Sequence, residues 1–349
     1  MMVMESTNPP RPVAEPAAAD PTTGPTTGPT RGGDVPAKQR ARARPHRRGN
    51  VVALLTIVTI AALAGHRWVP AAGGMRLVWE SLLPWTVALF VLAAVAAVLR
   101  RSARAGLWAL VGLAVWSVMF VPMLVTHRPG ANAVATLTVA SQNVNAANAD
   151  AGAAARALVA TKADVVAVEE LGTVSEGPSR SVLDAAYPHS TTASTVGVWS
   201  RYELTDVTRL DLGMSWDRTL HATLQAPGGE VSLYVVHLPS VRPGLEAARN
   251  RALAALAAAV RADTSQRVVV VGDFNAATFD QNMRPLLAEV DDSRRVAGGG
   301  FGFSWPAQLP VTRPDHVLSK GFTVVSDVVL SQHGSDHRAI FATLRSTAS

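Results

Sequence analysis

The chain has 349 residues, 48 % of them hydrophobic, and a net charge of +6. It has no cysteine, which excludes disulfides, thiolate metal sites and cysteine nucleophiles together. The N-terminal stretch is rich in Pro, Gly and Thr, so the apolar content has to be concentrated elsewhere, and it is concentrated between residues 51 and 125.

Residues 1–49 repeat Pro-Thr-Thr-Gly over 21–28 and have no periodic apolar face, so they cannot offset the entropy of ordering; the expectation is a disordered cytoplasmic tail. The tail ends in Lys38, Arg40, Arg42, Arg44, Arg47 and Arg48, directly before the first apolar run. A nucleic-acid-binding arm is the sharper reading of such a cluster. Its position against a hydrophobic segment favours a topology signal or contact with anionic lipid.

Three apolar segments follow, at 50–64, 82–99 and 106–125, and they predict a three-helix transmembrane anchor over 50–127. The first is short for a span and could instead be a cleaved signal sequence ending at Ala62-Leu63-Ala64; its basic flank and Trp68 favour the span. The basic tail and the Arg100, Arg101, Arg104 loop belong inside, and the loop 65–81 falls outside. An odd number of spans then places residues 128–349 outside the cell, and cleavage at Ala64 would leave that location unchanged.

Residues 128–349 alternate strands and helices, the pattern of an α/β domain. Strands are predicted at Leu137 to Val144, Asp164 to Glu169, Val196 to Ser200, Leu220 to Gln225, Val231 to Val236, Arg267 to Val271, Val317 to Leu318, Phe322 to Leu330 and Ala339 to Leu344. Helices are predicted at Ala151 to Ala160 and Leu245 to Arg261, with a glycine-rich loop at 298–302.

Polar residues capable of chemistry recur at the ends of these strands. Glu170 follows an apolar strand, where its carboxylate could hold a hard cation or simply be solvated. Glu169 points the other way if the strand persists, so only one of the two should face a site. Asn143 could orient a carboxylate or a phosphate oxygen, and His237 could be a general acid, a phosphate ligand or a structural histidine. Asp273 and Asn275 stand in Gly-Asp-Phe-Asn, and Asp315 and the Asp336-His337 pair add carboxylates that could fix an imidazole tautomer.

Taken together, Gln142-Asn143-Val144, Asp164 to Glu170, Ser200-Arg201-Tyr202, Val236-His237-Leu238, Gly272 to Asn275, Arg313 to Val317 and Ser335-Asp336-His337 resemble, in order, the endonuclease/exonuclease/phosphatase superfamily of DNase I-like phosphohydrolases. The resemblance implies a four-layer αββα sandwich with one Mg²⁺-type ion at its mouth, Mn²⁺ being the alternative. It implies Glu170 as main metal ligand with Asn143 orienting it and Asp336 in the metal region. Asp273 would position or deprotonate water, and Asn275 would hold a phosphate oxygen. His337, oriented by Asp315, would hydrogen-bond the phosphoryl group, and His237 would be a second acid or phosphate ligand. Two positions depart from the family pattern, Glu169 where Gln is common and His316 where an aromatic is common, and His316 adds a titratable group nearby.

The substrate class is read from charge and topology. Residues 132–349 contain 18 Lys/Arg and 21 Asp/Glu, a net −3 that disfavours nucleic acid. A domain tethered by the short link Thr126 to Ala135 meets membrane phosphates at high effective concentration, so a lipid-linked phosphate or pyrophosphate is the leading expectation. The layout also resembles the VanJ-type membrane proteins associated with glycopeptide resistance. The rivals are an extracellular Mg-dependent nuclease and a non-catalytic membrane-anchored binding protein.

Overall fold

A computed structural model describes residues 49–70, 74–125, 137–214, 216–240, 242 and 246–347. The expected disordered tail, apart from Gly49, and the link Thr126 to Ala135 lie outside the described residues.

Four helices come first: α1 (Asn50–Ala64), α2 (Met75–Leu82), α3 (Thr86–Leu99) and α4 (Ala103–Leu124). Helices α1, α3 and α4 are apolar nearly all round, so no single face can be the buried one, and they pack on one another through small residues. Gly112 of α4 is such a contact, since a Cβ there would come within 2.3 Å of the Phe90 ring. Two helices are long and apolar enough to cross a membrane: Met75–Leu99, continuous from α2 through a 3₁₀ turn into α3, and Ala103–Leu124. At about 1.5 Å per residue, α1 extends about 22 Å, less than a hydrocarbon core of about 30 Å. The span count of three therefore finds two helices of sufficient length. Residues 65–81, expected to be a loop, contain α2, an amphipathic helix whose Arg76, Glu80 and Ser81 interrupt the apolar run.

The rest of the described chain is β1 (Leu137–Asn143), α5 (Ala151–Ala160), β2 (Val165–Glu169), α6 (Glu176–Ala186), β3 (His189–Ala193), β4 (Val196–Ser200), β5 (Leu204–Arg209), β6 (Thr219–Ala226), β7 (Gly229–His237), α7 (Glu246–Ala262), β8 (Val268–Asp273), α8 (Arg284–Leu287), β9 (Asp291–Asp292), α9 (Ser293–Ala297), β10 (Asp315–Lys320), β11 (Phe322–Val329) and β12 (Ile340–Ser346). They form two six-stranded sheets, ordered β11-β12-β1-β2-β4-β3 and β5-β6-β7-β8-β10-β9.

Alternation within each strand builds four layers. Val139, Val165 and Ala342 from the first sheet meet Leu233, Val271 and Val317 from the second in the middle core. The outer face of the first sheet, with Ala140, Val166 and Val168, packs on Ala154, Leu158 and Leu183 of α5 and α6. The outer face of the second, with Tyr234, Val236 and Val270, packs on Leu253, Leu256 and Val260 of α7. This is the expected αββα sandwich.

The helices dock on one end of the sandwich. Phe120 of α4 packs edge-on against Phe279 at 4.9 Å and Phe301 at 6.0 Å. Trp85 stacks on Phe303 at 5.7 Å and its indole N–H donates to the Val311 carbonyl at 2.8 Å. Gly300 N–H donates to the Met123 carbonyl, which ties the glycine-rich loop to the end of α4.

Candidate active site

The middle core turns polar at one end. The alternation that sends Val139, Val165, Val235, Val271 and Val317 inward delivers Asn143, Glu169, His237, Asp273 and Asp315 at the ends of the same five strands. All five are buried. Register ties them into rows: Asn143 lies beside Glu169, while His237 lies beside Asp273 and Asp273 opposite Asp315. Gly272 makes the second row fit, because its φ is +136° and a Cβ would come within 2.0 Å of the Val236 carbonyl oxygen.

Asp273 is the hub. Its Oδ2 accepts from Asn143 Nδ2 at 3.0 Å and Asn275 Nδ2 at 3.3 Å, and its Oδ1 accepts from the Asn275 N–H at 2.8 Å. Oδ2 also lies 3.9 Å from Nε2 of both His237 and His337. Burial pushes the Asp273 carboxyl up to about 7, against the opposing pull of His337 and the donated hydrogen bonds.

The two histidines are held in opposite states. His337 Nδ1 donates to Asp315 Oδ2 at 3.0 Å, and the Ser304 hydroxyl donates to the same oxygen. Burial disfavours charge on His337, but Asp315 first, then Asp273 and Asp336, outweigh it and raise the imidazole to about 10. His237 is pushed down to about 3 by burial, reinforced by Arg218 and His337, so it enters the site as a neutral ring. Neither of its nitrogens has a hydrogen-bond partner, and Nε2 lies 3.5 Å from Glu170 Oε1. A neutral ring suits a ligand role better than that of an acid.

Glu169 and Glu170 part company where β2 ends. Glu169 keeps the inward direction, fully buried, with Oε1 accepting from Ser141 Oγ at 3.0 Å and Oε2 unpartnered. Burial first, then Asp315 and Asp273, hold its carboxyl well above the usual range. Glu170 has φ +59°, a left-handed turn that brings its side chain back to the mouth. There it lines a cavity of about 400 Å³ together with Asp273, Asn275, Asp336 and His337.

The expected residues therefore converge, with three differences in posture. Asn143 is spent on Asp273 and on the Asn145 N–H. The Asn275 side chain bonds the Leu238 carbonyl at 3.0 Å, which braces the loop. His316 faces away from the site, because the residue after an inward Asp315 must point outward; its Nε2 meets the Ala276 carbonyl at 2.8 Å. Sequence reasoning missed Asn145, whose Nδ2 donates to Asp336 Oδ1 at 3.0 Å, and Trp305, whose indole reaches Asp336 Oδ2 at 3.3 Å. It also missed Arg218, half-buried near Glu170 and Asp273 with an unpartnered Nε. A lone Arg in a polar loop carries no signal, whereas Asn145 could have been found two residues after Asn143.

Among the described residues, the ligand-type atoms of Asp273, Asp315 and His337 lie within 4.8 Å of one another. Asp315 already accepts from His337, and Asp273 accepts from Asn143 and Asn275 while lying 3.9 Å from His337 Nε2, so both carboxylates of this trio are engaged by side chains of the protein. Glu170 and Asp336, in the cavity wall, are carboxylates whose bonded partners leave lone pairs free for a cation.

A model of the Endonuclease/Exonuclease/phosphatase family matches residues 140–337. No curated protein matches the chain. Among solved structures, humanized D. rerio TDP2 is 19 % identical with a TM-score of 0.53, covering 60 % of this chain and 99 % of that one. A functionally unknown conserved protein from Enterococcus faecalis V583 is 15 % identical with a TM-score of 0.51, over 60 % and 100 % of the two chains. An endonuclease/exonuclease/phosphatase from Bacteroides vulgatus has the same identity of 15 % and TM-score of 0.51, over 60 % and 99 %. At these identities the likenesses show the fold.

Proposed function

The chain belongs to the endonuclease/exonuclease/phosphatase family, and on that footing we propose that it is a divalent-metal-dependent hydrolase of phosphoesters or phosphoanhydrides, acting at the outer face of a membrane on a lipid-linked phosphate or pyrophosphate. Hydrolysis of phosphoesters with a divalent metal is the family's general chemistry. The observation that carries the reading here is the buried chain Asp315–His337···Asp273–Asn143 beneath a cavity whose wall holds Glu170 and Asp336.

The residues fit a metal of the Mg²⁺ type, with Mn²⁺ as the alternative, because the wall offers carboxylate oxygens and no sulfur. Glu170 and Asp336 would hold it, and Asn143 acts one step removed by fixing Asp273. A bound divalent cation supplies neutralisation of phosphate charge. The protein's own part follows from the hydrogen bonds. Asp273, held by three donated hydrogen bonds and raised toward neutrality, orients a water and takes its proton as the new P–O bond forms and the P–O bond to the leaving alcohol or phosphate breaks, the departing oxygen taking up a proton from solvent. His337, cationic and fixed by Asp315, directs Nε2–H toward the phosphoryl oxygens as their charge grows. His237 offers a neutral donor on the opposite side of Asp273.

Membrane action is supported by the exterior of the helices. Val51, Leu54, Leu92, Leu99, Leu110 and Val118 are between 61 and 80 % exposed, an apolar surface that water does not tolerate at this extent. With the negative domain charge, this favours a lipid phosphate over nucleic acid. A helical anchor before a hydrolase domain is the VanJ-type layout, and the setting it suggests is the processing of a cell-wall lipid carrier. The test is phosphate release from polyprenyl pyrophosphate by the full-length protein in lipid. Activity should require added Mg²⁺ and fall about 10²–10⁴-fold in Asp273→Ala and in His337→Ala. Undiminished activity in both variants sinks the catalytic assignment, and nicking of plasmid DNA without lipid hydrolysis would favour the nuclease.

A further inference from the structure

One wall of the catalytic cavity is supplied by the helical anchor. Val78, Ser81 and Leu82 of α2 line the same cavity as Asp273, Asp336 and His337. The cavity's lining combines two chemistries: Glu170, Asp273, Asp336 and His337 supply its polar floor of carboxylates and imidazole, and Val78, Leu82, Val311, Pro314 and Trp305 supply its apolar side chains, Trp305 also donating its indole N–H to Asp336. Val78 and Leu82 are 52 % and 40 % exposed, and Trp305 is 40 % exposed. Three large apolar side chains thus stand open to solvent within one cavity, beside a site built for phosphate.

The placement of α2 is fixed. It runs straight into the 3₁₀ turn at 83–85, whose Trp85 bonds the Val311 carbonyl at 2.8 Å, and the Gln281 N–H approaches Glu80 Oε2 at 3.4 Å. Leu77 and Glu80 are buried on one face of the helix, so Val78, Ser81 and Leu82 are turned by the helical period toward the cavity. The helix that continues from α2 as α3 has the apolar exterior described above, so the apolar side of the cavity is continuous in sequence with the surface that meets acyl chains.

We infer that α2 forms a chain-binding subsite, in which Val78 and Leu82, facing Trp305 and Val311, hold the first carbons of an alkyl or prenyl chain esterified to the reacting phosphate. This rests on the hydrolytic reading above and deepens it: specificity for a lipid phosphate is a property of the anchor and not of the sandwich. A soluble phosphoester uses the polar floor alone. An amphipathic one uses both sides, and each methylene it buries is worth up to about fourfold in kcat/KM.

The experiment compares kcat/KM for methyl, butyl and hexyl phosphate, all at monomeric concentrations, on full-length protein in nanodiscs with Mg²⁺. The same comparison is made for Val78→Thr, Leu82→Ser and the double variant. Both positions are surface-exposed, so these replacements leave the fold intact, and thermal melting checks that. The wild type should gain at least tenfold from methyl to hexyl, the double variant should lose most of that gain, and methyl phosphate turnover should not change. A second readout is competition: hexyl phosphonate should inhibit the wild type at least tenfold better than methyl phosphonate, and the double variant about equally with either.

No dependence on chain length in the wild type, or a dependence unchanged in the double variant, overturns the subsite while leaving the hydrolase intact. Equal losses on all three esters would make α2 a structural support and also overturn it. Absence of turnover in wild type both on every ester and on polyprenyl pyrophosphate, with Mg²⁺ or Mn²⁺, would instead remove the hydrolytic reading on which the subsite rests.

Discussion

Glu169 is a carboxyl held away from its ordinary chemistry by burial. It is fully buried beneath Asp273 and Asp315 with one oxygen lacking any partner, and its carboxyl is held well above the usual range by burial and by those two acids. A group whose folded pKa is raised contributes stability that is complete below the unfolded value of about 4.3 and is lost as pH rises through the folded value. Glu169→Gln removes that loss while keeping the shape and the bond from Ser141. In EDTA the variant should therefore melt above the wild type at pH 8, and the difference should vanish near pH 4. The effect is worth about 1.4 kcal/mol for each unit by which the folded pKa exceeds the unfolded one. A variant that melts lower at pH 8 would show that the charged carboxylate is the stabilising form. The inward direction of Glu169 was also the point at which sequence reasoning stopped short. Alternation was legible, but the left-handed turn at Glu170 that lets neighbouring acids both approach the site was not, because a non-glycine at φ +59° has no local signature.

At the scale of elements, the strands that the sequence hid lie at sheet edges, although one edge strand, β11, is apolar enough to be legible. Central strands such as β1, β2 and β8 are buried on both faces and appear as unbroken apolar runs, so their ends, and the polar residues there, could be placed. The strands that escaped notice, β3, β5 and β9, are all at sheet edges and read as His-Ser-Thr-Thr-Ala, Leu-Thr-Asp-Val-Thr-Arg and Asp-Asp. Their stability comes from pairing and from side-chain bonds that no periodicity reveals. The clearest case is β9, where Asp292 receives two hydrogen bonds from Arg313 at 2.7 and 2.9 Å and a third from the Arg294 N–H that starts α9. Burial opposes the charge on Asp292, yet Arg313 first and then His316 hold its carboxyl far below the usual range. A depressed pKa contributes stability above the unfolded value of about 3.9 and loses it as pH falls through the folded one. Asp292→Asn should cost about 3–5 kcal/mol at pH 7, since it leaves the Arg313 charge buried without a counter-ion, and the deficit should narrow in strong acid. Denaturant titration of the two proteins decides it; a loss below about 1 kcal/mol would mean that Arg313 finds another partner.

For the whole molecule, the geometry of the helices constrains which side of a membrane the site occupies. The sandwich docks where α3 begins, through Trp85, and where α4 ends, through Phe120 and Met123. The turn carrying Arg100, Arg101 and Arg104 is at the opposite ends of the same two helices. If α3 and α4 cross a bilayer, the catalytic cavity and the arginine turn must lie on opposite sides of it, whatever becomes of α1. Given the preference of Arg-rich turns for the cytoplasmic side, the prediction is a cavity outside the cell. The lack of native cysteine makes this directly measurable, because a single introduced thiol is the only one in the protein. Ser331→Cys lies on the exposed surface of the sandwich, and Ala103→Cys is exposed beside the arginine turn without removing any of its charges. In intact spheroplasts a membrane-impermeant maleimide should label Ser331→Cys at once and Ala103→Cys only after permeabilisation. The reverse pattern would put the cavity inside the cell. Labelling of both without permeabilisation would mean that the helices do not span the bilayer, and the apolar exterior of α3 and α4 would then have to be covered by protein.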